Sequence, residues 1–108
     1  MKLPDAEHAV VERVKVERYL LSTTHAHGRH KQRVFGSAGH TVETLTNALL
    51  TLARTSENAE EEPSPFGRKF VVHGSITGRT GLLAITTVWM LRGGNPPPYF
   101  LTAYPAKR

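Results

Sequence analysis

Hydrophobic residues recur at helical spacing in the first half of the chain. Val42, Leu45, Leu49 and Leu52 are three or four residues apart, as on the buried face of a helix, and Thr41 is placed to cap its first turn. A shorter amphipathic run covers residues 14–21. A third helix is predicted from about residue 28 to residue 35, where glycines follow. Residues 1–57 are therefore predicted to form a mainly helical half.

The second half has the two-residue alternation of β-strands. After the Pro-rich breaker at 63–67, residues 68–76 alternate, with Phe70, Val72 and Ile76 on one face and Val71 and His73 on the other. Glycines at 78 and 81 predict a turn, residues 82–91 a long strand, and residues 99–104 a last strand after a second Pro-rich connection. The pattern predicts one α+β domain over residues 1–108. N-terminal helices precede a four-stranded or three-stranded antiparallel sheet in residues 58–108.

Composition narrows the function classes. The chain has no cysteine, which excludes disulfides and thiolate chemistry, and no apolar run reaches the ~18 residues that span a bilayer. No signal peptide is recognisable, so we expect a cytoplasmic protein, or a domain delivered into the cytoplasm as part of a secreted toxin. Neither a nucleotide-binding glycine motif nor a Gly-x-Ser-x-Gly elbow is present, and no cofactor is expected.

Charge points to a polyanionic partner. Lys and Arg number 14 against 9 acidic residues, giving a formal charge of +5. The acids cluster at Glu57 and Glu60 to Glu62, and no carboxylate follows residue 62. Residues 25–33 combine three histidines with three Lys or Arg side chains. This uneven distribution favours binding to phosphates, and RNA is the partner that we expect.

The same residue types are those needed to cleave RNA through its own 2′-hydroxyl. That reaction requires a base, an acid, and cations or hydrogen-bond donors at the phosphate, and no metal. His25 is the first candidate for base or acid, with Lys31, Arg29 and Arg33 as phosphate contacts. Thr102 and Tyr104 would project from one strand face as hydrogen-bond donors, and Tyr104 would share in proton transfer.

Short motifs resemble a family of small uncharacterised bacterial domains. In chain order they are Asp5-Ala6, Tyr19-Leu20-Leu21, His25 to Lys31, Pro65-Phe66-Gly67, Thr87-Val88-Trp89 and Thr102 to Pro105. More distantly, the order of elements and the Thr-x-Tyr-Pro ending resemble the barnase, EndoU, colicin and RelE-like ribonuclease toxins. That resemblance implies a metal-independent endoribonuclease and a small acidic antitoxin or immunity protein that covers its groove.

Two positions depart from the pattern that the resemblance implies. Ala26 stands where relatives have proline, and Thr86 stands where a basic residue is expected before Thr87. Without a cation at position 86, Arg68 or Arg79 would supply the phosphate contact from the sheet.

The residues also allow two other functions. Without a working acid–base pair, the cationic groove would be a non-catalytic module that binds RNA or an acidic protein. Alternatively, the imidazoles of His25, His27 and His30 would bind a metal ion, although their close spacing on a glycine-containing loop is unlike that of most zinc sites.

Overall fold

The computed structural model describes residues 1–17, 41–78 and 81–106. It has the predicted α+β fold with a four-stranded antiparallel sheet in the order β1-β2-β3-β4. A single 3₁₀ turn covers Ala6–His8 and a short helix α1 covers Arg13–Lys15. The remaining elements are α2 (Val42–Thr55), β1 (Ala59–Glu62), β2 (Gly67–Gly78), β3 (Gly81–Arg92) and β4 (Tyr99–Pro105). None of the helices in the described segments has the length and hydrophobicity to span a membrane.

The long helix α2 begins at the predicted cap. The Thr44 amide donates to Thr41 Oγ1 at 3.3 Å, and the Thr41 amide donates to Thr44 Oγ1 at 2.8 Å, so two N–H groups of the first turn are satisfied. Leu45, Leu49 and Leu52 are buried, as their spacing predicts. This face of the helix packs on the sheet and forms one side of the core.

The strands β2 and β3 form a long hairpin whose register extends from Gly78 opposite Gly81 to Gly67 opposite Arg92. Its face toward α2 carries large apolar side chains, and Trp89 packs edge-on against Phe100 of β4 with ring centroids 5.3 Å apart. The buried Trp89 Nε1 donates to Thr87 Oγ1 at 2.8 Å, and Thr87 Oγ1 donates to the Val72 carbonyl at 2.9 Å. The core therefore contains a satisfied polar chain beside its largest aromatic side chain.

The acidic stretch Ala59–Glu62 forms β1, which completes the four-stranded sheet. β1 pairs antiparallel with the first part of β2, with Glu61 opposite Phe70 and Glu62 opposite Lys69. Glutamate is a poor strand former, and the composition of this stretch gave no strand signal. Two ion pairs join the side chains of β1 to those of β2. A terminal nitrogen of Arg68 lies 2.9 Å from Glu61 Oε1, and Lys69 Nζ lies 3.2 Å from Glu62 Oε1.

The last strand is held on both sides. β4 pairs with β3, and a register shift at Val88/Trp89 lets Leu101 stand outside the regular pairing. Near the start of β4, Val10 makes an isolated parallel bridge, in which the Val10 amide donates to the Pro98 carbonyl and the Val10 carbonyl accepts from the Phe100 amide, both at 2.9 Å. The N-terminal segment thus packs beside the C-terminal strand.

Candidate functional site

The sheet has a second face, opposite α2, which we define by alternate residues on three strands. β2 contributes Val71 and His73, β3 contributes Thr86, Val88 and Met90, and β4 contributes Thr102 and Tyr104. Thr102 lies opposite Val88 and Tyr104 lies opposite Thr86. The two β4 residues therefore share one face, in agreement with the two-residue period of a strand.

A row of three polar residues crosses this second face. His73 is opposite Thr86 in the β2–β3 register, and Thr86 is opposite Tyr104 in the β3–β4 register. His73 Nδ1 lies 3.1 Å from Thr86 Oγ1, within hydrogen-bond distance. Because neighbouring strands are about 4.8 Å apart, the backbones of His73 and Tyr104, which lie two strands apart, are separated by about 10 Å.

Solvent access differs along the row. Thr86 is buried, His73 is half-buried, and the Tyr104 side chain is 42% exposed. The hydrogen bond to Thr86 uses Nδ1 of His73, so Nε2 is the ring nitrogen that would exchange a proton with a bound molecule. The row combines a fixed imidazole with an accessible phenol.

Thr102 and Tyr104 also line a surface groove, which we call the Phe66 groove. It has a volume of about 510 Å³, and its lining includes Phe66, Lys69, Met90, Thr102 and Tyr104. Lys69 is half-buried and its ammonium group is paired with Glu62. The lining of the groove therefore combines Lys69 with the two hydroxyl-bearing residues that the sequence singled out.

Arg68 lies on the other face of the sheet, where its guanidinium group is 5.2 Å from the Phe70 ring centroid. It donates from Nε to Glu61 Oε2 at 3.0 Å and from a terminal nitrogen to Glu61 Oε1 at 2.9 Å. These hydrogen bonds lower the pKa of the Glu61 carboxyl and raise that of Arg68. The structure thus does not bring Arg68 together with Thr102 and Tyr104, and its role in phosphate binding stays a prediction.

The other predicted site residues lie outside the described part of the chain. They are His25, Arg29, Lys31, Arg33 and Arg79, together with His27 and His30 of the metal alternative. Within residues 1–17, 41–78 and 81–106, no group of three or more His, Asp or Glu side chains is arranged to bind a metal ion. His8 is paired with Asp5 at 2.7 Å, which raises the pKa of its imidazole, and it belongs to the N-terminal turn.

The sequence pattern did not predict that His73 lies in one row with Thr86 and Tyr104. The strand alternation already placed His73 on the other face of the strand from Phe70 and Val72, and a hairpin turn was predicted between Gly78 and Gly81. Counting five residues back from each side of that turn pairs position 73 with position 86. That count would have revealed the hydroxyl that the imidazole contacts, at the position where the resemblance implied a cation.

Comparison with known proteins was made for sequence and for structure. The family model described as "Domain of unknown function (DUF6883)" matches residues 2–107. This match confirms the expected membership of an uncharacterised family, while the individual motifs stay predictions. None of the curated proteins matches the sequence significantly.

Among solved structures, the chain is similar to one from the "Contact-dependent growth inhibition toxin - immunity protein complex from Klebsiella pneumoniae 342". The TM-score is 0.67 at 15% sequence identity, and the alignment covers 96% of this chain and 98% of that chain. At this identity the similarity shows a shared fold, and it extends over nearly the whole of both chains.

Proposed function

We propose that this chain, which belongs to the family described as Domain of unknown function (DUF6883), is a metal-independent endoribonuclease of toxin type. The observation that carries the proposal is the row of His73, Thr86 and Tyr104 across neighbouring strands. An imidazole and a phenol on one face, with the Thr102 hydroxyl beside them, supply a base, an acid and a hydrogen-bond donor for one phosphate.

The proposed reaction uses the 2′-hydroxyl of RNA as the nucleophile. His73 Nε2 accepts the proton of this hydroxyl, and the 2′-oxygen forms a bond to phosphorus. The bond between phosphorus and the 5′-oxygen breaks, and Tyr104 gives its proton to the departing oxygen. The products are a 2′,3′-cyclic phosphate and a 5′-hydroxyl, and both side chains recover their protonation states by exchange with water.

Other groups would stabilise the charge that develops on the phosphate. Thr102 would donate a hydrogen bond, and Lys69 would supply a positive charge after release from its exposed pair with Glu62, because such pairs contribute little stability. His25 and Lys31 keep their predicted roles as a further proton-transfer group and a phosphate contact. The net charge of +5 would attract the RNA strand.

The toxin class is supported by the fold shared with a chain of a toxin–immunity complex. A ribonuclease that acts on cellular RNA must be neutralised in the cell that makes it. We therefore infer that a small acidic antitoxin or immunity protein binds this positively charged domain and competes with RNA.

Single-turnover cleavage of a 5′-labelled RNA in EDTA tests the proposal. His73→Ala and Tyr104→Phe should each lower the rate by about 10²- to 10⁴-fold, the usual effect of removing one proton-transfer group, with little change in RNA affinity. His8→Ala and Tyr99→Phe are the matched controls, because His8 pairs with Asp5 and the Tyr99 ring packs 3.7 Å from the guanidinium carbon of Arg92. Both controls should cut at the wild-type rate.

His25 is tested in the same assay beside its neighbour His27. A large rate loss in His25→Ala and a small one in His27→Ala would support the predicted role of His25. RNA affinity without cleavage in the wild-type domain would instead favour a non-catalytic binding module. Equal rates in His73→Ala and His8→Ala would remove His73 from the site.

A further inference from the structure

Phe66 is unusually exposed for a phenylalanine, with 78% of its surface accessible. It lies in the turn between β1 and β2, at the rim of the Phe66 groove. A single exposed apolar residue is common on protein surfaces and needs no functional explanation. For Phe66, however, the backbone of the turn and the residues that line the groove indicate a site for a ligand.

The sequence of the turn restricts the backbone on both sides of Phe66. Pro63 and Pro65 restrict the backbone torsions before it, and the Phe66 amide donates to Ser64 Oγ at 3.2 Å. Gly67 follows with φ of 140°, and a Cβ at that position would lie 2.3 Å from the Leu91 carbonyl oxygen. A backbone restricted in this way loses little conformational entropy when the turn binds a partner.

The groove beneath Phe66 suits a flat aromatic ligand with a phosphate attached. Val88, Met90 and Leu101 supply apolar surface, while Lys69, Thr102 and Tyr104 supply polar groups. A volume of about 510 Å³ lies within the common range for small-molecule sites, ~300–1,000 Å³. Among the described residues that line the groove, Lys69 carries the charge and none is acidic.

We propose that the Phe66 groove binds a nucleobase of the RNA strand next to the phosphate that is cut. This inference rests on the proposed ribonuclease function, because Thr102 and Tyr104 line the groove and also face that phosphate. The base stacks on Phe66 and its phosphate approaches Lys69, as in the stacking platforms of single-strand-binding proteins. The groove would then determine which nucleotide precedes or follows the cut.

Binding of a fluorescein-labelled 2′-O-methyl RNA decamer tests this subsite without cleavage, because that strand has no free 2′-hydroxyl. Phe66→Ala should weaken binding by about 5- to 150-fold, the usual effect of removing one stacking aromatic. Phe66→Trp should retain affinity. Leu82→Ala is the matched control, because Leu82 is 79% exposed and is not among the residues that line the groove, and it should bind as wild type.

A base-free strand of the same length separates stacking from phosphate contacts. Wild type and Phe66→Ala should bind this strand equally, since the groove then has no base to hold. Equal affinities of Phe66→Ala and Leu82→Ala for the decamer would overturn the inference. An equal loss of affinity of Phe66→Ala for the base-free strand would also overturn it. So would a Phe66→Ala variant that keeps its affinity for RNA and loses its affinity for an acidic protein partner.

Different results would contradict the proposed base subsite and the proposed catalytic function. If Phe66→Ala cuts RNA with unchanged KM and unchanged nucleotide preference, the subsite is wrong and the ribonuclease remains. If no variant cuts RNA but Phe66→Ala still weakens decamer binding relative to Leu82→Ala, the groove is a base site in a non-catalytic module.

Discussion

The Nδ1 atom of His73 lies 3.1 Å from the Thr86 hydroxyl oxygen, so this hydroxyl helps to orient the imidazole. Thr86 would act through His73 as a positioning residue. We expect Thr86→Val to lower the RNA cleavage rate by about tenfold and to shift the pH–rate profile, because the ring loses the partner that orients it. Thr86→Ser keeps the hydroxyl and should restore both. A Thr86→Val enzyme with wild-type rate and pH profile would contradict this role.

In the proposed function, Glu61 would compete with RNA for the guanidinium group of Arg68. Glu61→Gln should raise RNA affinity and increase the slope of log affinity against log salt by about 0.7, the value for one added phosphate contact on a single strand. Glu57→Gln makes the same charge change at an exposed position and is the control. If the two variants gain affinity equally, the effect is one of net charge and Arg68 is not a phosphate contact.

The same ion pair makes stability depend on pH in acid. Hydrogen bonds from Arg68 hold the pKa of the Glu61 carboxyl below its ordinary value. A carboxyl with a lowered pKa contributes stability that is present above the ordinary value and is lost as pH falls through the folded value. Wild type should therefore unfold at higher urea than Glu61→Gln at pH 7, and the difference should shrink as pH falls from the ordinary carboxyl pKa, ~4.3, through the lower folded value. A difference that persists in acid would show that the pair does not titrate in this way.

Thr87 should contribute to stability through its two buried hydrogen bonds. Thr87→Val keeps the shape of the side chain but leaves Trp89 Nε1 and the Val72 carbonyl without their partner. We expect a loss of roughly 1–3 kcal/mol in the free energy of unfolding, measured by urea denaturation. Thr87→Ser keeps the hydroxyl and should lose less. A loss in Thr87→Ser as large as that in Thr87→Val would contradict this, because it would show that the buried methyl group contributes as much to stability as the hydroxyl.

Periodicity predicted most of the fold, and particular residues explain what it missed. The spacing of Leu45, Leu49 and Leu52 defines α2 because a buried helix face imposes that period. β1 gave no comparable signal: its glutamates lie in a strand because the backbone pairs antiparallel with β2, and this register places Arg68 and Lys69 within reach of Glu61 and Glu62. Such pairing depends on the register between two strands, which composition does not encode.

The candidate site was also predicted only in part, because some of its contacts depend on the register between strands. Thr102 and Tyr104 follow from alternation along one strand, which is local information. The relation of His73 to Thr86 depends on a hairpin register, and the groove under Phe66 depends on how the β1–β2 turn folds over the sheet. These relationships join residues that are distant in sequence, so an isolated pattern does not reveal them.

The nucleophile of the reaction provides the most direct test of the central claim. Wild-type domain in EDTA should cut a labelled RNA and leave a 2′,3′-cyclic phosphate, identified by mass spectrometry of the product. Replacing the 2′-hydroxyl with hydrogen at the cleaved nucleotide should abolish the cut at that position and leave binding intact. Cleavage that needs a divalent metal, or that proceeds at the 2′-deoxy position, would contradict a metal-independent ribonuclease on this face of the sheet.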